Sequence, residues 1–261
     1  MINQKKIQII SQPRSGSSYL YHVLIGGTDI GRPPPFNKFP TEFLNLRYAF
    51  NDDFSDFEKM SKYIYNRLDD LMFAEKCIIK TQIPNIYDLE LIDKTLIDTY
   101  LQKTEDMYNI FLVRKNIVEN ILSHCISKIQ GLWYTEKAKS QDENIYIIDD
   151  KTIRFITEIS VRDHIMLIEN KFNIPCHEIL YYEDSILGKS GPQILEDMKI
   201  SSNFEIDDNM INIVPSKDKK NTVKNYDEVV DLIKSEVRKN LCKYDGYILN
   251  KSNEIMKINE T

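Results

Sequence analysis

The sequence predicts an α/β fold in which a central, mainly parallel β-sheet is flanked by helices, in a single domain covering 1–261. Three observations lead to it. Short Ile- and Val-rich runs of strand length alternate with longer stretches of helical spacing. Strands separated by helices need crossover connections, which make neighbouring strands parallel. The chain has 261 residues, 42% of them hydrophobic and 28% charged, enough to bury a sizeable core, and it shows no internal repeat, low-complexity tract or linker.

Lys5 to Ser11 (KKIQIIS) reads as a buried strand, followed by a Pro/Gly/Ser turn and helical spacing from Tyr19 to Leu24. Gly26 to Pro40 is loop-like, and Ser55 to Phe73 returns to helical spacing. Lys76 to Thr81 (KCIIKT) is a second strand ended by Pro84, 86–102 a helix, Tyr108 to Val113 a third strand, and Asn116 to Leu132 another helix. The polar stretch 135–144 reads as a loop and Thr152 to Phe172 as a long amphipathic helix. Glu178 to Tyr182 is a fourth strand, followed by a helix from beyond Asp184 to Lys199 and an irregular acidic, Asn-rich piece. Ser216 to Lys220 (SKDKK) is a basic cluster in a loop, and Tyr226 to Leu241 a final amphipathic helix.

Composition narrows the function. No apolar run approaches the roughly 18 residues that span a bilayer, and the apolar part of Met1 to Ser11 is too short for a signal peptide, so a cytoplasmic protein is expected. Cys77, Cys125, Cys176 and Cys242 lie 48, 51 and 66 residues apart, with no paired ligand spacing. They are expected to be reduced, mostly buried thiols, and no metal site is implied. A net charge of −6 opposes general nucleic-acid binding, which needs a basic surface, but leaves room for a local anion pocket. Glycine is scarce, 8 in all, and four of these (Gly16, Gly26, Gly27, Gly31) fall before residue 32, as do or follow closely five of the nine prolines. Turn chemistry is concentrated in one N-terminal stretch.

That stretch holds the first candidate site. Gln12 to Ser18 (QPRSGSS) sets one arginine, one glycine and three hydroxyls in a turn that opens a helix. Helix N-termini present unsatisfied N–H groups and a dipole that favours anions, so phosphate or sulfate binding is expected; an ordinary cap would need one hydroxyl and no arginine. Neither G-x-x-x-x-G-K-[ST] nor G-x-G-x-x-G is present. A second candidate is Arg114, at the end of the third strand, with Ser123 nine residues on. Strand ends of a parallel sheet share one ligand-binding edge, and an arginine fork with a hydroxyl suits another phosphate.

QPRSGSS, VRKNIVENILS (113–123) and YYEDSI (181–186) together resemble the three cofactor-contact regions of sulfotransferases that use 3'-phosphoadenosine 5'-phosphosulfate (PAPS). The similarity is closest to bacterial trehalose-sulfotransferase-like enzymes, and extends to Gly31-Arg32-Pro33 and to Lys128–Trp133 (KIQGLW). It implies a P-loop-like three-layer fold and PAPS as donor to a small-molecule or carbohydrate hydroxyl, with no metal; relatives are often homodimers. By resemblance, Arg14, Ser15, Gly16, Ser17 and Ser18 wrap the 5'-phosphosulfate, and Arg114 and Ser123 hold the 3'-phosphate. Tyr19 and Tyr182 contact adenine, and Lys217 belongs to a loop over the 3'-phosphate, although the family's Arg-Lys-Gly triplet is missing.

The catalytic base departs from the pattern. Lys80-Thr81-Gln82-Ile83-Pro84 resembles a Lys-Thr-His-Leu-Pro stretch whose histidine is the base, but Gln82 cannot take a proton at neutral pH. The glutamate that trehalose-type relatives carry after Gly-Arg-Pro is replaced by Pro34 and Pro35, which leaves Glu42 as the nearest carboxylate. Lys80 either stabilises the leaving group or caps its strand, and His22 and His124 read as structural. Besides an active sulfotransferase, the pattern allows a PAPS or adenosine 3',5'-bisphosphate binder without catalysis, or a P-loop-like small-molecule kinase. A thiol phosphatase built on His124-Cys125 is excluded, because Gly131 stands where its arginine belongs.

Overall fold

Backbone pairing in a computed structural model joins the four Ile-rich runs into one parallel sheet. The structure describes residues 5–28, 30, 43–45, 56–130, 146–200 and 219–258. In chain order these form β1 (Lys6–Ser11), α1 (Ser17–Gly27), α2 (Phe57–Phe73), β2 (Cys77–Gln82), α3 (Ile83–Ile92), α4 (Lys94–Lys103) and β3 (Tyr108–Val113). There follow α5 (Ile117–Gln130), α6 (Asp150–Ile168), β4 (Glu178–Tyr181), α7 (Tyr182–Ser185), α8 (Gly191–Asp197), α9 (Lys219–Thr222), α10 (Tyr226–Leu241), β5 (Tyr247–Leu249) and β6 (Ile255–Lys257). The chain groups into two units, Met1–Val113 with Met166–Ile211, and Arg114–Ile165 with Asn212–Thr261.

The first unit contains the sheet, with strand order β2-β1-β3-β4, all parallel. The α/β class, with a parallel sheet flanked by helices, is as expected from the alternation of strands and helices. β1 is buried on both faces after Lys6, which explains its nearly continuous aliphatic sequence. Its side chains divide by alternation: Ile7 and Ile9 join Ile78, Ile110 and Leu112 against α1 and α8, while Ile10 joins Ile79, Phe111 and Val113 against α2, α3 and α4. Ser11 pairs with Gln82 on one side and Leu112 on the other, so β1, β2 and β3 end at the same edge. The loop before α1 leaves the sheet there.

The second unit is helical, with α5, α10 and most of α6 packed through Ile121, Ile156, Val161, Ile233 and Val237. It ends in an antiparallel hairpin, β5–β6, for which the sequence analysis predicts no element. Asn253, in the turn of that hairpin, accepts from the backbone N–H of Ile117 at 3.0 Å and so anchors the start of α5.

Several boundaries differ from the sequence expectation. The helix predicted over 86–102 is two, because Asp93 is extended (φ −160°) and its carboxylate caps α4 through the N–H of Thr95. Pro84 occupies the first turn of α3, where its missing N–H is no loss. The helix predicted to Phe172 stops at Ile168, and Asn170 and Asn173 then turn through left-handed conformations. The helix predicted after Asp184 is replaced by the short α7 and by α8, the latter started by a Ser190–Gln193 capping box. Lys219 and Lys220 of the basic cluster are helical in α9, not in a loop. Cys77 and Cys125 are buried, but Cys176 and Cys242 are exposed, against the expectation of mostly buried thiols.

Burial pushes the His164 imidazole in α6 down from 6.5 to about 4, so it is neutral in the folded chain. Below its ordinary value the unfolded chain binds a proton that the folded chain does not. Stability that is complete above pH 6.5 is therefore lost progressively as pH falls towards 4. His164→Gln should flatten this acid limb, measured as the difference in urea midpoint between neutral and mildly acidic buffer.

Candidate functional site

Between β1 and α1 the chain makes a turn that few sequences tolerate. Arg14 has φ 61° and Gly16 φ 83°, whereas Ser15 between them is not in the left-handed region. Left-handed residues in such a turn can aim neighbouring backbone N–H groups towards one side, as in an anion nest. For Arg14 this conformation carries a strain of about 1–3 kcal/mol, a cost usually met at functional sites. Gly16 bears it freely.

The nest runs directly into the N-terminus of α1. Gly16 is the cap residue, no side chain caps the helix, and its first turn contains no acidic residue. Asp56 caps α2 and Asp93 caps α4, whereas the N-cap residues of α3 and α10, like Gly16, make no side-chain cap bond. The leading N–H groups of α1, with the positive end of its dipole, thus face the turn without an internal anion.

Positive charge comes from the neighbouring strand. Ile78 of β2 packs on the α1 face of the sheet, and Lys80, two residues on, lies on the same face by strand alternation. Its side chain is buried, 2% exposed, and its ammonium donates to Ser18 Oγ at 3.0 Å. Ser15 is fully buried, and its hydroxyl and that of Ser11 have no hydrogen-bond partner among the described residues. An unsatisfied buried hydroxyl costs about 1–3 kcal/mol, which an anion accepting from it would offset. The donor set of Arg14, Ser15, Ser17, Ser18, Lys80 and the loop N–H groups fits a tetrahedral oxyanion.

Aromatic side chains close on the same loop. A Cβ on Gly16 would lie 2.5 Å and 2.6 Å from Cδ2 and Cε2 of Tyr182, so the tyrosine ring fills the space over the glycine. Tyr19 donates its hydroxyl to the backbone carbonyl of Lys189 at 3.1 Å. Arg14, Ser15, Gly16, Ser17, Ser18, Tyr19, Lys80 and Tyr182 all belong to the first unit, around the β1–α1 turn and the strand ends beside it.

The other predicted residues are placed differently. Arg114 directly follows β3 and is the first residue of the second unit, and Ser123 is half-buried on α5 within that unit. Glu42, Lys217, Gly31, Pro34, Pro35 and Trp133 lie outside the described residues. Two features have no counterpart in the sequence analysis. Arg14 adopts a left-handed conformation, and Lys219 pairs with the Glu119 carboxylate while donating to the Glu119 carbonyl at 3.2 Å. The signal for Lys80 as a partner of α1 is in the sequence, as the period-2 relation to Ile78.

Cys125 is buried in α5, and its thiol is pushed up to about 12, chiefly by burial, the reverse of what a thiolate nucleophile needs. Among the described residues, no three His, Cys, Asp or Glu side chains group to hold a metal ion, and no helix is long and apolar enough to cross a membrane. Comparison with protein-family models finds no match to this chain, and neither does a search among curated proteins.

Replacing Arg14 by glycine removes the side chain from its left-handed position. Arg14→Gly should leave folding stability intact or raise it by up to about 1 kcal/mol while weakening the binding of inorganic pyrophosphate. Chemical unfolding and calorimetric titration of the same preparation check both effects.

Proposed function

We propose that this chain is a PAPS-dependent sulfotransferase with a P-loop-like nucleotide-binding core, moving a sulfuryl group to a hydroxyl of a small-molecule or carbohydrate acceptor. The observation that carries the reading is the buried Lys80 ammonium on Ser18 Oγ at the uncapped start of α1. It supports a site for a strongly charged oxyanion, and the three family-like segments give that anion its identity as a 5'-phosphosulfate.

PAPS supplies an activated sulfuryl group whose departure leaves a phosphate with growing negative charge. Arg14, Lys80 and the N–H groups of residues 15–18 offset that charge as it develops, which is where electrostatic stabilisation accelerates group transfer most. Ser17 and Ser18 orient the oxygens for in-line attack. Arg114 and Ser123 take the 3'-phosphate, and Lys217 the closing basic loop, on the resemblance alone. Tyr19, whose hydroxyl donates to the Lys189 carbonyl, keeps the adenine role on the resemblance alone. The acceptor proton is assigned to Glu42, since Gln82 at the end of β2 has no basic atom for it. Gln82 also favours a second reading, a PAPS or adenosine 3',5'-bisphosphate binder without catalysis.

Adenosine 3',5'-bisphosphate should raise the melting temperature, corresponding to about 2.7 kcal/mol at a hundredfold excess over Kd, and ATP with magnesium should raise it less. The reverse order would support a kinase instead. Arg14→Ala and Arg114→Ala should each weaken this binding by about tenfold or more, as loss of a charge-assisted contact predicts. Labelled PAPS offered with carbohydrate, phenolic and peptide acceptors tests transfer itself. Glu42→Gln should depress turnover while leaving bisphosphate binding unchanged, and a chain that binds without any transfer would establish the second reading.

A further inference from the structure

Glycine at φ 83° does not explain itself. A glycine populates both signs of φ with similar ease, so Gly16 alone leaves the turn free to open. The packing around it is close. The Tyr182 ring occupies the position a Cβ would take, with Cδ2 and Cε2 at 2.5 Å and 2.6 Å from it, and Ile186 Cγ2 lies 3.8 Å from the same point. Tyr182 is itself fixed. It packs with the cluster of Leu20, Leu180 and Ile186, and its carbonyl accepts from Ile186 N at 3.0 Å and Leu187 N at 2.8 Å. Tyr19, on the first turn of α1, ties the end of the same segment through the Lys189 carbonyl at 3.1 Å.

We propose that Tyr182 is a positioning residue for the anion loop, its ring holding Gly16 left-handed so that the segment 182–189 buttresses the nest of residues 14–18. This rests on the reading of that loop as an anion site, and it gives Tyr182 a role independent of any contact with a base. The contacting atoms are ring carbons, so the hydroxyl is dispensable for positioning. Loss of the ring releases Gly16 into other conformations, and every anion that needs the nest then binds more weakly, whether or not it carries a nucleoside.

Inorganic pyrophosphate, which has no base, separates the two roles. Its affinity and that of adenosine 3',5'-bisphosphate are measured calorimetrically for the unmodified chain, Tyr182→Phe, Tyr182→Ala, Gly16→Ala and the Gly16→Ala/Tyr182→Ala double variant. Tyr182→Phe should bind pyrophosphate within about twofold of the unmodified chain, and Tyr182→Ala should weaken both ligands by about tenfold, the scale of freeing one residue's backbone. Gly16→Ala should cost less beside Tyr182→Ala than alone, because the ring it collides with is gone. Tyr182→Val carries the same expectation should the alanine variant fail to fold. Weakening of the bisphosphate alone, with pyrophosphate bound as before, would overturn the positioning role and leave the anion loop standing. An unmodified chain that binds neither ligand would overturn the anion loop, and the positioning role with it.

Discussion

The hydrogen bond from the buried Lys80 ammonium to Ser18 Oγ, 3.0 Å long, is the interaction around which the first unit is arranged. An ammonium taken out of water costs several kcal/mol unless its surroundings compensate. Here strand alternation carries it to the face where α1 begins, and the parallel register of β1 and β2 brings that helix start beside it. The same corner contains the left-handed Arg14 and Gly16 and the buried hydroxyl of Ser15. Strain, burial of charge and an uncapped helix are each unfavourable for stability alone. On the proposed reading a bound oxyanion would offset the buried charge and the uncapped helix start.

Much of the fold is legible in the sequence because β1, β2 and β3 are buried on both faces. KIQII, CII and NIFLV are nearly continuous apolar runs, and such runs announce buried parallel strands without any need for alternation. The elements that escape are those decided by one or two side chains. Asp93 divides a single apolar period into α3 and α4 by capping the second, a role invisible to a count of hydrophobic spacing. The β5–β6 hairpin is three residues per strand, too short for alternation to register, and depends on the Asn250 side chain, which accepts from Glu254 N at 2.9 Å within its turn.

Of the candidate site, the sequence shows residue types and order. QPRSGSS announces an anion loop through its residue types, and the structure brings Lys80 and Tyr182, distant in sequence, to that loop in the same unit. What the sequence could not carry is conformation. That the Tyr182 ring fills the space left by the missing Cβ of Gly16 is a contact no residue string reveals. Nor does a residue string reveal that Arg14, not only the glycine, is left-handed. Glu42 and Lys217 lie outside the described residues.

The central claim is that an oxyanion binds in the turn between β1 and α1. Amide chemical-shift mapping of the isotope-labelled chain during titration with inorganic pyrophosphate reads this directly, residue by residue. The account predicts saturable shifts concentrated at the N–H groups of residues 14–19, with a concurrent change at the Lys80 side chain. Shifts that centre elsewhere on the chain, or none at millimolar pyrophosphate, would contradict it.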